Sequence, residues 1–494
     1  MRAQSMKQLV ALLALFLVLS VGTARADDGR ATSFAPAVLS PASCTTVVQP
    51  GESIQKAISP ARSGAVICVR GGIYVEALKI IPANAGITLM AYPGERPILD
   101  GENRLPVITA KNRFAPLLLV KAKNVIVDGL EIRRSTMRGV TVSQGDVILR
   151  NLTVRDSNEV GIVVTGSSKV PLRNVLVENS TVYNNLLKNA GGAAGGSALT
   201  FINVQDSTAR GNVVYHNYGE GLVAGRFTRG IILEGNVSYD NRGANIYLVN
   251  TINTTVRGNF VFCTDDPISW RGKNSLSRPG PGLQVRDENF KAPQPPPSSG
   301  QVIVNNIVVG CGINFGVATQ IAGGGLNNAI VAHNTFVNAR GASGEGVNNI
   351  EISGNASMQN TRFVNNVIVQ TVPGTLTRIL YAMGTPNLAG FTISNNLYSS
   401  APGNGWMSTE PGRIVADARL VNVVQPLLSD LPNPANFALT AASPAVDAGD
   451  NGTGNIEDLF GDERAGAADI GADELGGSTQ FGFPNSLALL GLGE

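Results

Sequence analysis

The feature that most constrains this chain is a short line of sequence that keeps returning between Asn124 and Val261, at a period of about 20 to 30 residues. Each line holds two apolar residues at alternate positions, then an Asn or Gly, then two more apolar residues. The lines are NVIVDGLEI (124–132), DVILRNLTV (146–154), NVLVENSTV (174–182), GIILEGNVS (230–238) and TTVRGNFVF (254–262). Alternation predicts β-strands, and strands this short can bury their apolar side only against the next copy. The chain is therefore predicted to stack parallel coils into a solenoid.

An Asn or Gly near the centre of each line marks a sharp turn in the predicted coil. These residues tolerate a left-handed backbone, and stacked Asn amides can form a hydrogen-bonded ladder from coil to coil. About ten coils are expected from Asn124 onward, with one residue of play in their register. The marker residues are Gly129, Asn151, Asn179, Asn212, Asn236 and Asn259.

The first 26 residues read as a secretory signal peptide, with Arg2 and Lys7 before an apolar run and Ala24-Arg25-Ala26 as the cleavage site. Its removal takes three of the 38 basic residues and leaves 35 against 36 acidic ones, a balance that argues against nucleic-acid binding. No later run is long and apolar enough to span a bilayer. A secreted or cell-surface location is predicted, with no membrane span after cleavage.

The four cysteines of an exported chain are expected to pair. Cys44 and Cys68 flank a short helical pattern, and Cys263 and Cys311 follow corresponding turn markers. If their lines are neighbouring coils, stacked about 4.8 Å apart, Cys263 and Cys311 fall within bridging range and clamp the long insertion between them. Two reduced, buried thiols are the alternative.

Several stretches resemble a known superfamily. PGESIQKAI (50–58), GGIYVEALKI (71–80) and ITLMAYPGERPILDG (87–101) resemble the opening of secreted proteins of the pectin-lyase-like superfamily, which includes pectate, alginate and chondroitin lyases. SPAVDAGDN (443–451) and GDERAGAADIGADE (461–474) resemble the C-terminal region of exported bacterial β-helix proteins. The resemblance implies an all-β, right-handed parallel β-helix with an N-terminal helical cap and an irregular C-terminal cap.

The predicted organisation has a signal peptide at 1–26, a flexible leader at 27–43, the β-helix with its N-terminal cap at 44–400, a capping region at 401–474 and a tail at 475–494. Insertions at 186–198 and 271–300 interrupt the repeat. Insertions in a solenoid collect on one face, often the binding face. The protein is expected to be a monomer that contacts extracellular polysaccharide.

The candidate site lies where charged residues follow the turn markers beside the second insertion. A lyase acting on a uronate must neutralise the carboxylate, remove the C5 proton and protonate the leaving oxygen. The predicted catalytic residues are Lys273, Arg271, Arg226 and Asp266. The predicted substrate-binding residues are Glu220, Tyr218, Trp270 and Lys188. Asp265 and Asp266 are the predicted ligands of a Ca²⁺ ion.

The resemblance does not carry over a complete site. Calcium-dependent β-helix pectate lyases have an Asp-rich turn where this chain has Asn217-Tyr218-Gly219-Glu220-Gly221. No cofactor is therefore certain, with Ca²⁺ as the candidate. His216 is interpreted as a corner residue that hydrogen-bonds rather than as a catalyst. Besides a lyase of uronate-containing glycans, a non-catalytic adhesive solenoid and a glycoside hydrolase remain open as functions.

Overall fold

A computed structural model describes residues 43–110, 112–191, 195–271, 278–342, 346–380, 385–402, 409–455 and 457–477. The predicted signal peptide, nearly all of the leader and most of the tail lie outside the described residues. The chain winds through three parallel sheets in turn, and each strand pairs with its counterparts in the coils before and after. Crossovers between parallel strands are right-handed. The predicted right-handed parallel β-helix is confirmed.

Sheet 1 holds the first strand of each coil. Its strands are Thr46–Val48, Val66–Val69, Thr88–Ala91, Val125–Asp128, Val147–Arg150, Leu172–Arg173, Val175–Glu178, Val204–Arg210, Arg229–Glu234, Thr255–Arg257, Val302–Val304, Ile330–Ala332, Arg362–Val364 and Thr392–Ser394. Sheet 2 follows after a two-residue corner. Its strands are Gly72–Tyr74, Pro97–Asp100, Glu131–Arg133, Thr153–Arg155, Thr181–Tyr183, Val213–Tyr215, Val237–Tyr239, Phe260–Phe262, Ile307–Val309, Thr335–Val337, Val367–Val369, Leu397–Tyr398 and Ile414–Val415.

Sheet 3 completes each coil. Its strands are Leu78–Ile80, Pro116–Val120, Arg138–Val142, Ile162–Thr165, Ser197–Ile202, Glu220–Gly225, Ile246–Leu248, Leu283–Asp287, Ile313–Thr319, Asn348–Ser353 and Thr375–Leu380. A short antiparallel hairpin, Trp270–Arg271 with Arg278–Pro279, stands outside the three sheets. Inward residues of all three sheets, mostly Val, Leu and Ile, form one continuous core along the axis.

The first corner, between sheets 1 and 2, is built from two adjacent residues with different roles. The first residue has a left-handed backbone, as at Asn151, Gly235 and Asn365. The second points inward, and from Asn212 onward it forms a buried amide ladder. The ladder residues are Asn212, Asn236, Asn259, Asn306, Asn334, Asn366 and Asn396. The expected play of one residue in register is therefore real, because the predicted markers mix these two positions.

The N-terminal end is covered as predicted. Helix Ile54–Ile58 buries Ile54 and Ile58 against the first coils, and the Ser53 side chain caps its first turn. Cys44 and Cys68 form a disulfide that ties this end together. No helix among the described residues is long and apolar enough to cross a membrane.

The C-terminal segment does more than cover the last coil. Residues 409–415 close that coil, since Glu410 accepts hydrogen bonds from Asn396, the last ladder amide. The chain beyond then packs on the outer face of sheet 2. Its buried residues Phe437, Leu459 and Ile470 share one apolar cluster with outward side chains of sheet 2, from Val213 to Leu397. The segment predicted as an end cap therefore also forms a flank cover.

Candidate functional site

The second corner, between sheets 2 and 3, places a column of outward side chains directly after the sheet 2 strands. Each of these residues has a left-handed backbone. In successive coils the column reads Arg134, Asp156, Asn184, His216 and Asp240. The residue after each of the last three is an inward Asn of a second buried amide ladder, Asn185, Asn217 and Asn241. The ladder fixes the backbone, so the side chains of the column stand at fixed positions along the corner, where Asp240 is fully buried.

His216 is held against an aromatic stack. Tyr183, Tyr215, Tyr239 and Phe262 occupy the same outward position of successive sheet 2 strands, with ring centroids 4.6 to 5.0 Å apart. The His216 ring meets Tyr215 and Tyr239 edge-on, at 4.9 and 5.6 Å. Burial raises the pKa of Tyr215 to about 12 and raises that of Tyr239 further. The stack is therefore a neutral support for the imidazole.

Two carboxylates converge on the imidazole and complete what we call the His216 centre: His216, Asp240 and Asp266. Nε2 of His216 lies 2.8 Å from Oδ2 of Asp266 and 3.8 Å from Oδ2 of Asp240. Nε2 is buried, but it is not aligned for a hydrogen bond with either oxygen, so the pairing is ionic. Burial alone would lower the pKa of His216, but the two carboxylates outweigh it and raise the pKa to about 9.

Asp266 reaches His216 from two coils away because the chain leaves the repeat after Cys263. Thr264 bonds to Asp240 through its backbone N–H and its hydroxyl, at 2.7 and 2.5 Å. The Asp266 carboxylate then accepts the backbone N–H of Ile268 at 2.8 Å, which orients it. Burial would raise the pKa of Asp266, but His216 and this N–H lower it. Asp266 is thus an ionised partner of the His216 imidazolium at neutral pH.

A disulfide fixes the residue at which the chain leaves the repeat. Cys263 and Cys311 are bonded, which confirms the predicted clamp. The bridge continues the second ladder, because the Asn245 amide lies 3.2 Å from Sγ of Cys263. Arg340 donates to the Cys263 carbonyl at 2.8 Å and lies 5.7 Å from the Trp270 ring. Trp270 donates through Nε1 to the Thr264 carbonyl at 3.0 Å, which places its indole beside the centre.

The structure brings some of the predicted site residues together. Asp266 belongs to the centre and Trp270 flanks it. Tyr218 follows His216 by two residues in the same corner, and Glu220 begins the next strand of sheet 3, paired with Ser197. Both are half-buried. The backbone of Arg271 lies in the hairpin after Trp270, while Lys273 lies outside the described residues.

Three predicted site residues lie elsewhere. Arg226 follows the far end of strand Glu220–Gly225 and stacks on the Phe290 ring at 4.8 Å. Lys188 forms an ion pair with the buried Glu159. Asp265 points away from Asp266 and accepts the backbone N–H of Leu428, 2.8 Å away, in the flank cover.

The ligand atoms that the His216 centre offers indicate which metal ion it would suit. The ligand atoms of His216, Asp240 and Asp266 all lie within 4.8 Å of one another, the one such group in the described part of the chain. A nitrogen with two carboxylate oxygens suits Zn²⁺, whereas Ca²⁺ prefers oxygen ligands throughout. The predicted Ca²⁺ site at Asp265 and Asp266 would need Asp265 to leave Leu428. Ca²⁺ binding stays a prediction.

Sequence reasoning did not anticipate the contacts of His216 with two carboxylates and did not select Asp240 or Arg340. A signal for the first two was present. Aligning the five-residue segments after the first corner, VRDSN (154–158), VYNNL (182–186), VYHNY (214–218) and SYDNR (238–242), puts Asp156, Asn184, His216 and Asp240 in one column. Arg340 had no such signal, because it reaches the centre from a long corner between sheets 2 and 3.

The fold and the centre define the class of protein, a right-handed parallel β-helix with a charged centre at one corner. Residues 39–259 match the family model described as the Pel9A-like right-handed β-helix region. None of the curated proteins matches the chain. The crystal structure of pectate lyase Pel9A is similar at 16% identity and a TM-score of 0.50, over 87% of this chain and 97% of that one.

Two further solved structures show lower structural similarity. XylC in complex with xylose is 11% identical with a TM-score of 0.49, over 86% of this chain and 95% of the other. The Dettilon tailspike protein is 13% identical with a TM-score of 0.47, over 76% and 70%. The structural similarity to Pel9A shows a common fold. At identities this low, the activity has to be argued from the residues of this chain.

Proposed function

We propose that this protein is secreted, binds a uronate-containing polysaccharide at the second corner, and cleaves it as a lyase at the His216 centre. The observation that carries the proposal is an imidazole paired with two carboxylates, beside an indole, on the surface of a β-helix whose common fold with a pectate lyase is established. Both cysteine pairs are bonded, which supports an oxidising location outside the cytoplasm.

The imidazolium of the centre, as a group and apart from the two carboxylates behind it, fits one requirement of β-elimination. A cation must neutralise the uronate carboxylate so that the C5 proton becomes acidic. With a pKa of about 9, His216 is cationic at neutral pH, and 23% of its side chain is exposed. The edge of the imidazolium can therefore meet a substrate carboxylate, while the buried Asp240 holds its position. Trp270 can stack on a sugar ring next to it.

The base in this proposal comes from the sequence that follows Trp270. It removes the C5 proton, the C4–oxygen bond breaks, a C4–C5 double bond forms, and the leaving oxygen takes up a proton. Arg271 and Lys273 are the proposed candidates, because they lie one and three residues after Trp270. Asp266 then acts by positioning His216 rather than by taking the proton. We propose that the protein acts as a monomer.

The test is an activity panel of polygalacturonate, alginate, chondroitin and neutral glycans. A lyase produces an unsaturated sugar that absorbs in the ultraviolet, and acidic substrates alone should give it. His216→Gln keeps size but loses charge, and it should lower kcat/KM about 10- to 100-fold, the value of a charge-assisted hydrogen bond. Asn338→Ala, at the same corner position several coils on, is the control and should keep activity.

Other outcomes identify the alternatives. New reducing ends without ultraviolet absorbance would mean a hydrolase, and retained binding without either product would mean an adhesive solenoid. Treatment with a chelator distinguishes an imidazolium centre from a metal centre. An imidazolium centre keeps its activity, whereas loss of activity restored by Ca²⁺ or Zn²⁺ would assign the centre to a metal.

A further inference from the structure

The outer face of sheet 3 carries a second feature, several coils beyond the His216 centre. Outward side chains in its strands form lateral rows, because inward residues such as Phe315 and Ile350 alternate with them. One such row runs through Tyr247, Gln284, Gly316, Glu351 and Arg378 in consecutive strands. In earlier coils the same row holds side chains of larger volume than glycine: Thr141, Val163, Thr200 and Val223.

Small residues interrupt this surface and create a groove. Gly316 has no side chain, and the outward positions next to it carry Ala318 and Ser353. A Cβ atom at Gly316 would lie 3.3 Å from Cγ2 of Ile313, a tight contact that needs a small shift of that side chain, and 3.6 Å from Cγ of Gln284. The backbone at Gly316 is not left-handed, so its conformation does not require glycine. A glycine inside a strand weakens it and often marks the close approach of a ligand. The resulting cavity has a volume of about 480 Å³, typical of small-ligand sites.

The walls of the groove mix apolar and polar residues, and their charged side chains carry excess positive charge. Arg278, Arg286, Gln284, Gln320 and Glu351 line it. Nε of Arg286 is buried and has no hydrogen-bond partner. One nitrogen of Arg278 donates to the Gly346 carbonyl at 2.5 Å, and the Glu351 carboxylate accepts from the Asn348 amide at 2.7 Å. The lining therefore holds two guanidinium groups and one carboxylate. A buried donor without a partner favours an anionic ligand.

The groove adjoins the hairpin beside the His216 centre. Arg278 and Pro279 belong to its lining, and Pro279 pairs with Trp270, which flanks the centre. An extended glycan that crosses the centre can therefore continue along sheet 3 into this groove. We propose that the groove is a binding subsite for an acidic sugar, in which Arg286 and Arg278 hold a uronate carboxylate. The inference rests on the proposed function and names the substrate-binding part of the same surface.

The experiment measures binding of short, non-cleaved uronate oligosaccharides by calorimetry, with neutral xylo-oligosaccharides as the comparison. Arg286→Gln removes the free donor and a charge, and Gly316→Val fills the groove without straining the backbone. Each should weaken acidic-ligand binding about tenfold or more. Lys79→Gln removes one exposed charge from the same face at the far end of the sheet and should bind as the parent does. Circular dichroism and thermal melts of each variant confirm folding.

The outcomes separate this inference from the proposed function. His216→Gln should lose cleavage and keep groove binding. If Arg286→Gln and Gly316→Val both bind like the parent while His216→Gln loses cleavage, the groove is not a subsite and the catalytic proposal survives. If neutral and acidic oligosaccharides bind equally in every variant, the carboxylate specificity is wrong. If the parent binds neither ligand, the subsite is refuted on its own, whatever the activity panel gives.

Discussion

His216 shows how one residue on a repetitive frame acquires special chemistry. The second corner places a left-handed residue in each coil, and most of these form ordinary surface contacts. Asn184, one coil before His216, donates to Asp156 and makes no ionic centre. His216 differs because Asp240 follows it in the column and Asp266 returns from the departing chain. The repeat in the sequence shows that Asp240 follows His216 in the column. It cannot show that Asp266 returns to His216, because that contact depends on a turn outside the repeat.

The protonation of His216 is directly measurable, because the chain has only two histidines. We expect one imidazole to titrate near pH 9 in an NMR titration. The other, His333, is buried and uncharged, since burial lowers its pKa to about 2, and it should not titrate near neutrality. The raised pKa of His216 stabilises the fold fully below about pH 6.5, and this stabilisation is lost as the pH rises through 9.

The stability of a His216 variant tests the same direction of pH dependence. His216→Gln should be less stable than the parent at pH 6 by roughly 2 to 3 kcal/mol, and the difference should shrink as the pH rises from about 6.5 through 9. Asp266 contributes in the opposite direction, because its lowered pKa stabilises the fold above about pH 4 and loses effect in acid. A difference between parent and variant that stays constant from pH 6 to 10 would show that His216 is not paired as an imidazolium.

At the scale of the element, the two-residue first corner explains why the repeat predicted the strands and why it did not distinguish the two corner positions. The repeated lines located strands of sheets 1 and 2, because alternation and period depend on local sequence. It could not separate the left-handed residue from the ladder residue, because Asn suits both positions. In early coils Leu130 and Leu152 fill the ladder position, so an amide is not needed for the turn itself. The amide contributes hydrogen bonds to stability where the neighbouring residues of the ladder are also Asn.

This difference predicts unequal effects of two Asn substitutions. Asn259 donates to the Leu233 and Arg257 carbonyls and to Asn306, and its oxygen accepts from Asn236. Asn259→Ala should therefore lower the free energy of unfolding by about 2 to 4 kcal/mol, because buried partners lose their hydrogen bonds. Asn151→Gly, at a left-handed position, should change it by less than about 1 kcal/mol. Chemical denaturation measures both, and equal losses would mean that the ladder adds no stability.

The two disulfides also allow a matched comparison. They close loops of 24 and 48 residues, which in the chain-entropy model are worth about 3 to 4 kcal/mol each. Replacing both cysteines of either pair by Ser should lower the melting temperature by similar amounts. Only the Cys263/Cys311 variant should also lose activity, because that bridge holds the start of the segment carrying Asp266. Equal activity in the two variants would separate the disulfide from the centre.

At the scale of the whole molecule, the repeat predicted the rod but not its flank. Sequence similarity marked residues 443–474 as a terminal region, and a terminal region is naturally expected at the end of a solenoid. The structure also runs this segment along sheet 2. It is docked by residues of later coils: the corner residue Asn365 accepts from the Gly471 N–H at 2.9 Å, and the strand residue Thr335 accepts from the Ala472 N–H at 3.1 Å. Docking along a flank leaves no periodic signal in the segment itself, so sequence pattern could not have found it.

The outer face of sheet 2 explains why this cover is needed. A solenoid face exposed to water usually carries polar outward residues, yet here Val237, Phe260, Ile307 and Val367 point outward and are fully buried. Arg464 fastens the cover, because it is buried and donates to the Gly471 carbonyl at 2.8 Å and to Asn305 at 3.1 Å. Removing the cover would create a long apolar surface of the kind that promotes association.

We therefore expect a chain ended after residue 416 to keep its β-helix and lose its solubility. Residues 409–415 remain to close the last coil, so the β-sheet circular dichroism should persist. The bared sheet 2 should bind a hydrophobic dye and drive association visible in light scattering. Arg464→Met tests the fastening within the full chain and should give a milder form of the same behaviour. A truncated protein that stays monomeric and binds no dye would mean that the flank cover is dispensable, and that the apolar outer face of sheet 2 serves another purpose.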